Sequence, residues 1–299
     1  MPRVHKWLSQ KEKGMKILLF GKGNAGARHY DIFSGLGCEV IVIDPLQEDA
    51  DYPTMESLDQ PLEAFDAFIV ATPPSAREMV PALMELGKPL LCEKPLTCPG
   101  CEPTMDWWAS HKNRDNVRVN LQMPYMSTYQ SFKNEVEQLP INAGEYLLVM
   151  VIAHTNWHKW VGMRGPHRHP IPVKWEMIHD IDLALRLSAN DGLAGLLEPV
   201  LDEAFSFTGL VHTHRMRIIL DLHMESTTDE VRHMMVMEPA SMRPLSEFRL
   251  DRHENDEAYK LLAIDFLSTM EQAPSQWATT VTHWQDLMNI MNQKVGASA

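Results

Sequence analysis

A short glycine-rich turn places the strongest constraint on what this chain can fold into. Within "MKILLF" (15–20), Lys16–Phe20 reads as a short buried strand, and "GKGNAG" (21–26) follows it directly. A helix is predicted over roughly Ala27–Gly35, and "CEVIVID" then predicts a second apolar strand that ends at Asp44. Strand, glycine turn, helix and strand in this order predict a βαβ unit with parallel strands.

Each glycine of the turn has a distinct physical role in a dinucleotide site. Gly21 allows the tight turn, Gly23 lets the backbone approach a pyrophosphate, and Gly26 lets helix and strand pack closely. The helix N-terminus attracts the phosphates. Asp44 would accept hydrogen bonds from a ribose 2′-hydroxyl and repel a 2′-phosphate, which favours NAD over NADP. The alternative is a glycine turn of another α/β protein, and the strand–turn–helix context argues against it.

The strand–helix alternation continues along the chain. The segments "AFDAFIVATPP" and "KPLLCEKP" read as strands around the helix "SAREMVPALMELG", and "VRVNLQM" predicts a further strand. Such alternation is typical of a doubly wound parallel sheet, in which ligands bind beyond the carboxyl ends of strands. Residues 93–95 stand at such an end, so Lys94 is predicted to face the nicotinamide end of a dinucleotide. The predicted cofactor-binding residues are Gly21, Gly23, Asn24, Ala25, Gly26, Asp44, Thr72, Pro73, Glu93 and Lys94.

The pattern changes after residue 123. Long apolar strands such as "GEYLLVMVIAHT" and "RMRIILDLHM" predict a large, mostly antiparallel sheet, and "IHDIDLALRLSA" predicts a helix beside it. We therefore predict an α/β NAD-binding Rossmann domain over 15–123 and an α+β domain for substrate binding and oligomerisation over 124–299. The second sheet is expected to be open.

Composition excludes several classes of partner. The 299 residues carry a formal net charge of −13, and such a surface repels nucleic acid and anionic lipid. No uncharged apolar run reaches the ~18 residues of a membrane span, and the N-terminal residues lack a signal-like apolar run, so a cytoplasmic protein is expected. Cys98 and Cys101 form a C-x-x-C, typical of a redox pair or half of a zinc site, but free thiols in a reducing compartment are favoured.

With these segments in view, the chain resembles the glucose–fructose oxidoreductase / inositol dehydrogenase / rhizopine catabolism family over roughly residues 15–292. The resemblance rests on "GKGNAG", on "ATPPSAREMVPALMELGKPLLCEKPLT", on the helix "EMIHDIDLAL" and on the C-terminal "DEAYKLLAIDFLSTMEQ". It implies an NAD-dependent oxidoreductase acting on a secondary alcohol of a sugar, sugar nucleotide or polyol. It also implies a homodimer or homotetramer. The E-K-P lysine of the family maps to Lys94, and the histidine of its H-x-x-D-L helix maps to His179.

The chain departs from the family pattern in places that bear on its substrate. Arg77 stands where the family often has a histidine, and Glu176 stands where an aspartate commonly precedes the helix histidine. The segment "NWHKWVGMR" (156–164) resembles that of a subgroup linked to acylated and nucleotide-linked sugars in surface polysaccharide pathways. The predicted substrate-binding residues are Lys94, Trp157, His158, Trp160, Arg164 and His179. Core packing is the alternative for the tryptophans.

The residue types suit alcohol oxidation. A lysine ammonium stabilises a developing alkoxide, and a histidine near neutrality suits removal of the hydroxyl proton. Lys94, His179 and Glu176, which lies one turn before the histidine, are the predicted catalytic residues. The alternative for Lys94 is a structural ion pair with Glu93. His179 could instead be a histidine packed in the core, and Glu176 a carboxylate on the surface. No metal is expected at the histidines, because Arg164 and Arg168 would repel a cation; these histidines are His154, His158, His167, His169 and His179. The functional alternatives are a non-catalytic NAD-binding sensor or scaffold and an NAD-using glycosidase of the same family.

Overall fold

The computed structural model divides the chain into two compact units. The first comprises Met1–Gln122 with Ala258–Gln285, and the second comprises Met123–Glu257 with Asp286–Ala299. The residues that the structure describes are 14–97, 100–140, 146–156, 177–187, 197–202, 206–213, 215–225, 231–250, 252–268 and 273–292.

The first unit contains a five-stranded parallel sheet. Its strands are β1 (Lys16–Phe20), β2 (Glu39–Ile43), β3 (Ala67–Val70), β4 (Leu90–Glu93) and β5 (Val117–Asn120). Its helices are α1 (Asn24–Gly35), α2 (Val80–Glu85) and α3 (Met105–Ser110), with short 3₁₀ turns at Met55–Ser57, Leu62–Ala64 and Arg114–Asn116. The strand order is β2-β1-β3-β4-β5, and every pairing is parallel.

The strand order decides where this sheet binds a ligand. Strands β3, β4 and β5 are buried at every position, as expected for a parallel sheet with both faces covered. From β1 the chain passes to β2 on one side, and β3 lies on the other side. This arrangement creates a topological switch point at the carboxyl ends of β1 and β3, where the connecting loops separate and leave a crevice.

A C-terminal segment completes the first unit. Phe266 meets Phe33 edge to face at 6.0 Å between ring centroids, and the backbone N–H of Val119 donates to the carbonyl of Thr279 at 2.8 Å. The predicted second domain, 124–299, includes this segment, whereas the structure groups Ala258–Gln285 with the first unit. Aromatic contacts between residues far apart in the chain hold it there, and local sequence patterns do not reveal such contacts.

The second unit contains a six-stranded mixed sheet. Its strands are β6 (Leu147–Asn156), β7 (Leu197–Asp202), β8 (Ser206–His212), β9 (Met216–Glu225), β10 (Val231–Glu238) and β11 (Arg243–Arg249). Its order is β11-β10-β6-β9-β8-β7, and all pairs are antiparallel except β6 with β9. The predicted fold class, a parallel Rossmann-like sheet plus a mostly antiparallel sheet, is confirmed.

Two helices, α4 (Ser127–Gln138) and α5 (Ile178–Leu187), pack against the six-stranded sheet, and a 3₁₀ turn spans Met123–Tyr125. Near the C-terminus, α6 (Arg252–Ser268) and α7 (Val281–Asn292) cross the boundaries between the two units. The Tyr129 hydroxyl of α4 donates to the carbonyl of Leu183 in α5 at 2.7 Å, and the Tyr129 ring meets Phe248 of β11 at 5.7 Å. Alternate residues of β6 and β9 are buried on one face of the sheet, and those between them are only half-buried.

The prediction of free thiols is wrong for one cysteine. Cys38 and Cys92 are not in disulfides, but Cys101 is in a disulfide. Gly100, with a φ of 76°, reverses the chain direction just before it. Cys98 lies outside the described residues. None of the helices in the described ranges is both long and apolar enough to cross a bilayer.

Candidate active site

The glycine turn after β1 has a positive φ at Gly21, open space at Gly23 and a close backbone contact at Gly26. Gly21 has a φ of 86°, and its N–H donates to the carbonyl of Ile43 at 2.8 Å. A Cβ on Gly26 would lie 1.9 Å from the Gly21 carbonyl oxygen, so only glycine allows this contact between helix and turn. A Cβ on Gly23 would meet nothing within 4 Å, and Gly23 is the N-cap of α1. The space beside the helix N-terminus is therefore open to a ligand, and Asn24 and Ala25 form the first turn.

Asp44 lies beside this turn at the end of β2. Its carboxylate accepts the backbone N–H of Lys22 at 2.6 Å and that of Leu46 at 2.8 Å. The Lys22 ammonium pairs with Asp49 at 2.7 Å, and this hydrogen bond raises the pKa of Lys22 although burial opposes it. Because a carboxylate offers about four lone-pair directions, Asp44 keeps capacity for hydroxyl donors.

Thr72 and Pro73 follow β3, the strand next to β1. The Thr72 methyl carbon would be 3.2 Å from a Cβ on Gly21, and its hydroxyl donates to the carbonyl of Ala76 at 2.7 Å. Pro73 is exposed. The turns after β1 and β3 therefore meet at the switch point, as parallel topology requires.

Arg77 is a buried clamp on the loop backbone. Its side chain is 1% exposed, and the guanidinium donates to the carbonyls of Thr72, Glu93, Pro95 and Leu96 at 2.6–3.3 Å. These contacts use all five guanidinium N–H groups. Burial lowers the pKa of Arg77, and the nearby Cys92 and Glu93 oppose that effect. Arg77 thus fixes the E-K-P turn relative to the end of β3, a role that its sequence position alone did not indicate.

Replacing Arg77 is expected to destabilise the protein strongly. Arg77→Ala would leave several buried carbonyls without a donor, at a cost of about 1–3 kcal/mol each before relaxation. We expect Arg77→Ala to lower the urea midpoint of the unfolding transition of the first unit. Arg77→Lys, which retains three hydrogen-bond donors, should lower this midpoint less. Arg114→Ala, which removes an exposed arginine in the same unit, is the control. An Arg77→Ala midpoint equal to that of the control would contradict the clamp.

Glu93 is the centre of a buried polar network. Its Oε1 lies 2.8 Å from His29 Nε2 and accepts a hydrogen bond from the Asn120 amide at 2.5 Å. Its Oε2 accepts the backbone N–H of Lys94 at 3.2 Å. Burial raises the pKa of Glu93, but His29, Asn120 and the Lys94 charge outweigh it, so the pKa lies below the ordinary 4.5. Glu93 is therefore ionised at neutral pH, and it anchors the turn from inside the unit.

Tyr259 of the C-terminal segment closes this network together with Arg28 of α1. The Arg28 guanidinium lies over the Tyr259 ring at 4.5 Å, and the ring meets His29 at 6.2 Å. Burial and the charge of Glu93 raise the pKa of Tyr259 to about 12, so its hydroxyl stays protonated. Sequence reasoning missed His29, Asn120 and Tyr259, because they come from separate elements and no spacing links them.

Lys94 is half-buried at the carboxyl end of β4. The carbonyls on both sides of it, of Glu93 and Pro95, are held by Arg77, and the Lys94–Pro95 peptide bond is cis. The backbone that carries the lysine is therefore fixed at several points. The structure brings Lys94 to the same sheet edge as the glycine turn and Asp44.

His179 belongs to the second unit and lies in the first turn of α5. It is 6% exposed, and every residue of this helix is buried. Buried charges on the helix are paired. Both carboxylate oxygens of Asp182 accept a hydrogen bond from Arg186 Nε at 3.0 Å, and the Asp180 carboxylate lies 3.2 Å from the Arg232 guanidinium. The Asp182–Arg186 pair lies within α5, and the Asp180–Arg232 pair links α5 to β10. The predicted site residues outside the described part of the chain are Trp157, His158, Trp160, Arg164 and Glu176.

Comparison with curated proteins identifies inositol 2-dehydrogenases as relatives. No family model matches the chain. An inositol 2-dehydrogenase of Pseudomonas fluorescens strain Pf-5 is 30% identical over 194 residues, which cover 59% of this chain and 55% of that protein. The matched region thus spans about half the length of this curated relative.

Solved structures share the fold over nearly the whole chain. The myo-inositol 2-dehydrogenase of Lactobacillus plantarum has a TM-score of 0.70 at 15% identity and covers 93% of this chain and 95% of its own. The WlbA dehydrogenase of Thermus thermophilus, solved with NAD and UDP-GlcNAcA, has a TM-score of 0.69 at 16% identity and covers 92% and 93%. Sequence match and shared fold together confirm that the chain resembles the glucose–fructose oxidoreductase / inositol dehydrogenase / rhizopine catabolism family.

Proposed function

We propose that this protein is an NAD-dependent oxidoreductase that transfers a hydride between nicotinamide and a secondary alcohol of a sugar, sugar nucleotide or polyol. The observation that carries the proposal is the buried construction around Lys94. Arg77 and Glu93, both buried, hold the backbone of this lysine at the carboxyl edge of a dinucleotide-binding sheet. A protein with no need to place a cation at that position has no evident reason to bury an arginine and a glutamate beneath it.

The residues of the first unit fit NAD. The open space at Gly23 and the N-terminus of α1 suit the pyrophosphate, and Asp44 suits the adenine ribose hydroxyls. Thr72 and Pro73 are proposed to line the crevice at the switch point. When bound, NAD supplies the hydride acceptor.

Three residues of the chain have proposed roles in the reaction. Lys94 donates a hydrogen bond to the reacting hydroxyl and stabilises the alkoxide that develops on it. His179 takes the hydroxyl proton as general base, and Glu176 orients the imidazole ring. The Asp180–Arg232 ion pair ties the helix that carries His179 to β10.

The substrate class follows from the relatives and from residue chemistry. The relatives are named as inositol 2-dehydrogenases, and one structural neighbour was solved with UDP-GlcNAcA. A polyol or sugar substrate suits Trp157 and Trp160 as stacking surfaces, and His158 and Arg164 as hydrogen-bond donors.

Two other functions use the same cofactor site. A sensor or scaffold would bind NAD without turnover, and a glycosidase would reduce and reoxidise NAD within one cycle. Steady-state absorbance with myo-inositol and with UDP-sugars separates these, because NADH accumulates only with a dehydrogenase. NAD binding without NADH formation or substrate cleavage, across these substrates, would favour the sensor.

NAD is expected to bind more tightly than NADP. A like charge facing the 2′-phosphate costs several kcal/mol, so Asp44 should give at least tenfold discrimination, and Asp44→Ala should reduce it. Isothermal titration of both cofactors into the wild type and this variant measures the effect. Asp49→Ala, which removes a neighbouring exposed carboxylate, is the control. Equal affinities in the wild type would refute the role of Asp44.

A homodimer or homotetramer is expected from the half-buried face of the six-stranded sheet. Half-buried apolar side chains stand on this face, among them Leu148, Met150, Ile152, Leu210 and Ile219. Burying such a face against a second copy removes apolar surface from water. Light scattering at micromolar concentration measures the mass, and Met150→Glu should shift an oligomer toward monomer. A monomeric wild type would contradict the proposed assembly.

A further inference from the structure

Three side chains able to bind metal meet on the half-buried face of the six-stranded sheet. His154 on β6 is the direct register partner of His223 on β9. Asp221 precedes His223 by two residues on the same strand, and since side chains alternate, both point to the same face. The backbone ladder between the two central strands therefore sets the spacing of this His–Asp–His cluster.

The distances within the cluster are close to those of a coordination sphere. One potential ligand atom from each residue can be chosen so that all lie within 4.8 Å of one another. His223 Nε2 is 2.8 Å from Asp221 Oδ1, and His154 Nε2 is 3.7 Å from Asp221 Oδ2. Metal–nitrogen bonds of about 2.0–2.1 Å in a tetrahedral site place ligand atoms about 3.3 Å apart. Small side-chain rotations therefore suffice, and no strand has to move.

One ligand is already oriented from outside the cluster. His223 Nδ1 lies 3.0 Å from the Ser206 hydroxyl of β8. This contact leaves Nε2 directed at Asp221, and metal-binding histidines commonly have their second ring nitrogen held in this way.

The remaining ligand is an unexplained buried polar atom. His154 Nε2 is inaccessible to solvent and has no hydrogen-bond partner in the part of the chain that the structure describes. An unmade hydrogen bond at a buried nitrogen costs about 1–3 kcal/mol, so such an atom calls for a partner. A cation beside Asp221 would satisfy it.

We propose that His154, Asp221 and His223 bind a divalent transition-metal cation of the zinc type, with the remaining coordination positions open to water or an exogenous ligand. Two imidazoles and one carboxylate favour Zn²⁺ and similar ions over Mg²⁺ or Ca²⁺, which prefer oxygen ligands. The metal would tie β6 to β9, the parallel pair at the centre of the sheet. None of the three residues has a part in the proposed hydride transfer, so the site is a separate property of the protein.

The test is an isothermal calorimetric titration of Zn²⁺ into the metal-free full-length protein in non-reducing buffer. We expect one equivalent per chain, and weakening of more than about 100-fold in His154→Ala, His223→Ala and the nearly isosteric Asp221→Asn, since losses of even outer-shell partners cost 10–100-fold. His233→Ala is the matched control, because His233 also lies on this sheet and pairs with one carboxylate, Glu247, at 3.0 Å. It should bind Zn²⁺ like the wild type.

A double variant tests whether histidines outside the cluster bind the Zn²⁺ instead. His167→Ala with His169→Ala removes the nearest histidine pair in the sequence and should keep the equivalent of Zn²⁺. Co²⁺ in place of Zn²⁺ should give visible absorption bands that disappear in Asp221→Asn, with an unchanged far-ultraviolet circular dichroism spectrum. The proposal is overturned by a wild type that binds no Zn²⁺, by unaltered binding in Asp221→Asn and His223→Ala, or by binding lost with His167 and His169.

Discussion

Replacing Lys94 by alanine is expected to lower kcat by about 10²–10³-fold, the usual effect of removing one donor to a developing oxyanion. Affinity for NAD should change little, because the glycine turn and Asp44 supply the proposed contacts to the pyrophosphate and the ribose. The turn itself should persist in this variant, since Arg77 and Glu93 hold its backbone rather than the lysine side chain. Initial rates and calorimetric NAD affinity, measured together, separate the two effects.

Lys88→Ala is the matched control for Lys94→Ala. Lys88 precedes the amino end of the same strand, and its ammonium donates to the carbonyls of Glu63 and Phe65. It lies at the opposite edge of the sheet from the proposed chemistry, so its loss should leave kcat unchanged. An unchanged kcat in Lys94→Ala on an accepted substrate would exclude the proposed mechanism and favour the NAD-binding sensor.

Loss of His179 is expected to lower kcat by a similar factor, with a distinctive pH dependence. Without the general base the rate should recover as pH rises, because hydroxide replaces the missing base. His179 is buried in α5, so alanine would also leave a cavity. His179→Gln preserves most of the volume and should show the same pH dependence as His179→Ala.

A structural role for His179 would give a different profile. Simple loss of folded protein lowers the rate by the same factor at each pH at which the wild type is stable. A pH–rate profile for both variants, with His233→Ala as control, therefore distinguishes a base from a packing residue. Parallel profiles for wild type and variants would refute the role of His179 in proton transfer.

The first βαβ unit could be predicted from the sequence because its determinants are local. Gly21 has a positive φ, and Gly26 packs against the Gly21 carbonyl within the same turn. The predicted strand Lys16–Phe20 and the location of Asp44 beside the turn agree with the structure. The position of Lys94 at a strand end could also be predicted, because the strand and the proline that follows the lysine are contiguous in the sequence.

The side-chain contacts that hold the Lys94 turn and Glu93 in place were decided only by the tertiary structure. Arg77 read as a departure from a family pattern, and it proves to bind carbonyls up to 19 residues away. His29, Asn120 and Tyr259 converge on Glu93 from one helix, one strand and the C-terminal segment, which the predicted boundary had placed in the other domain.

The His–Asp–His cluster shows the same limit in the second unit. The "DLH" at 221–223 predicts two polar side chains on one face of a strand, but nothing local indicates that His154 is their neighbour. Sequence periodicity specifies which face of an element a residue occupies. The pairing of distant elements depends on the total burial and hydrogen bonding of the folded chain, and it decides which polar groups meet.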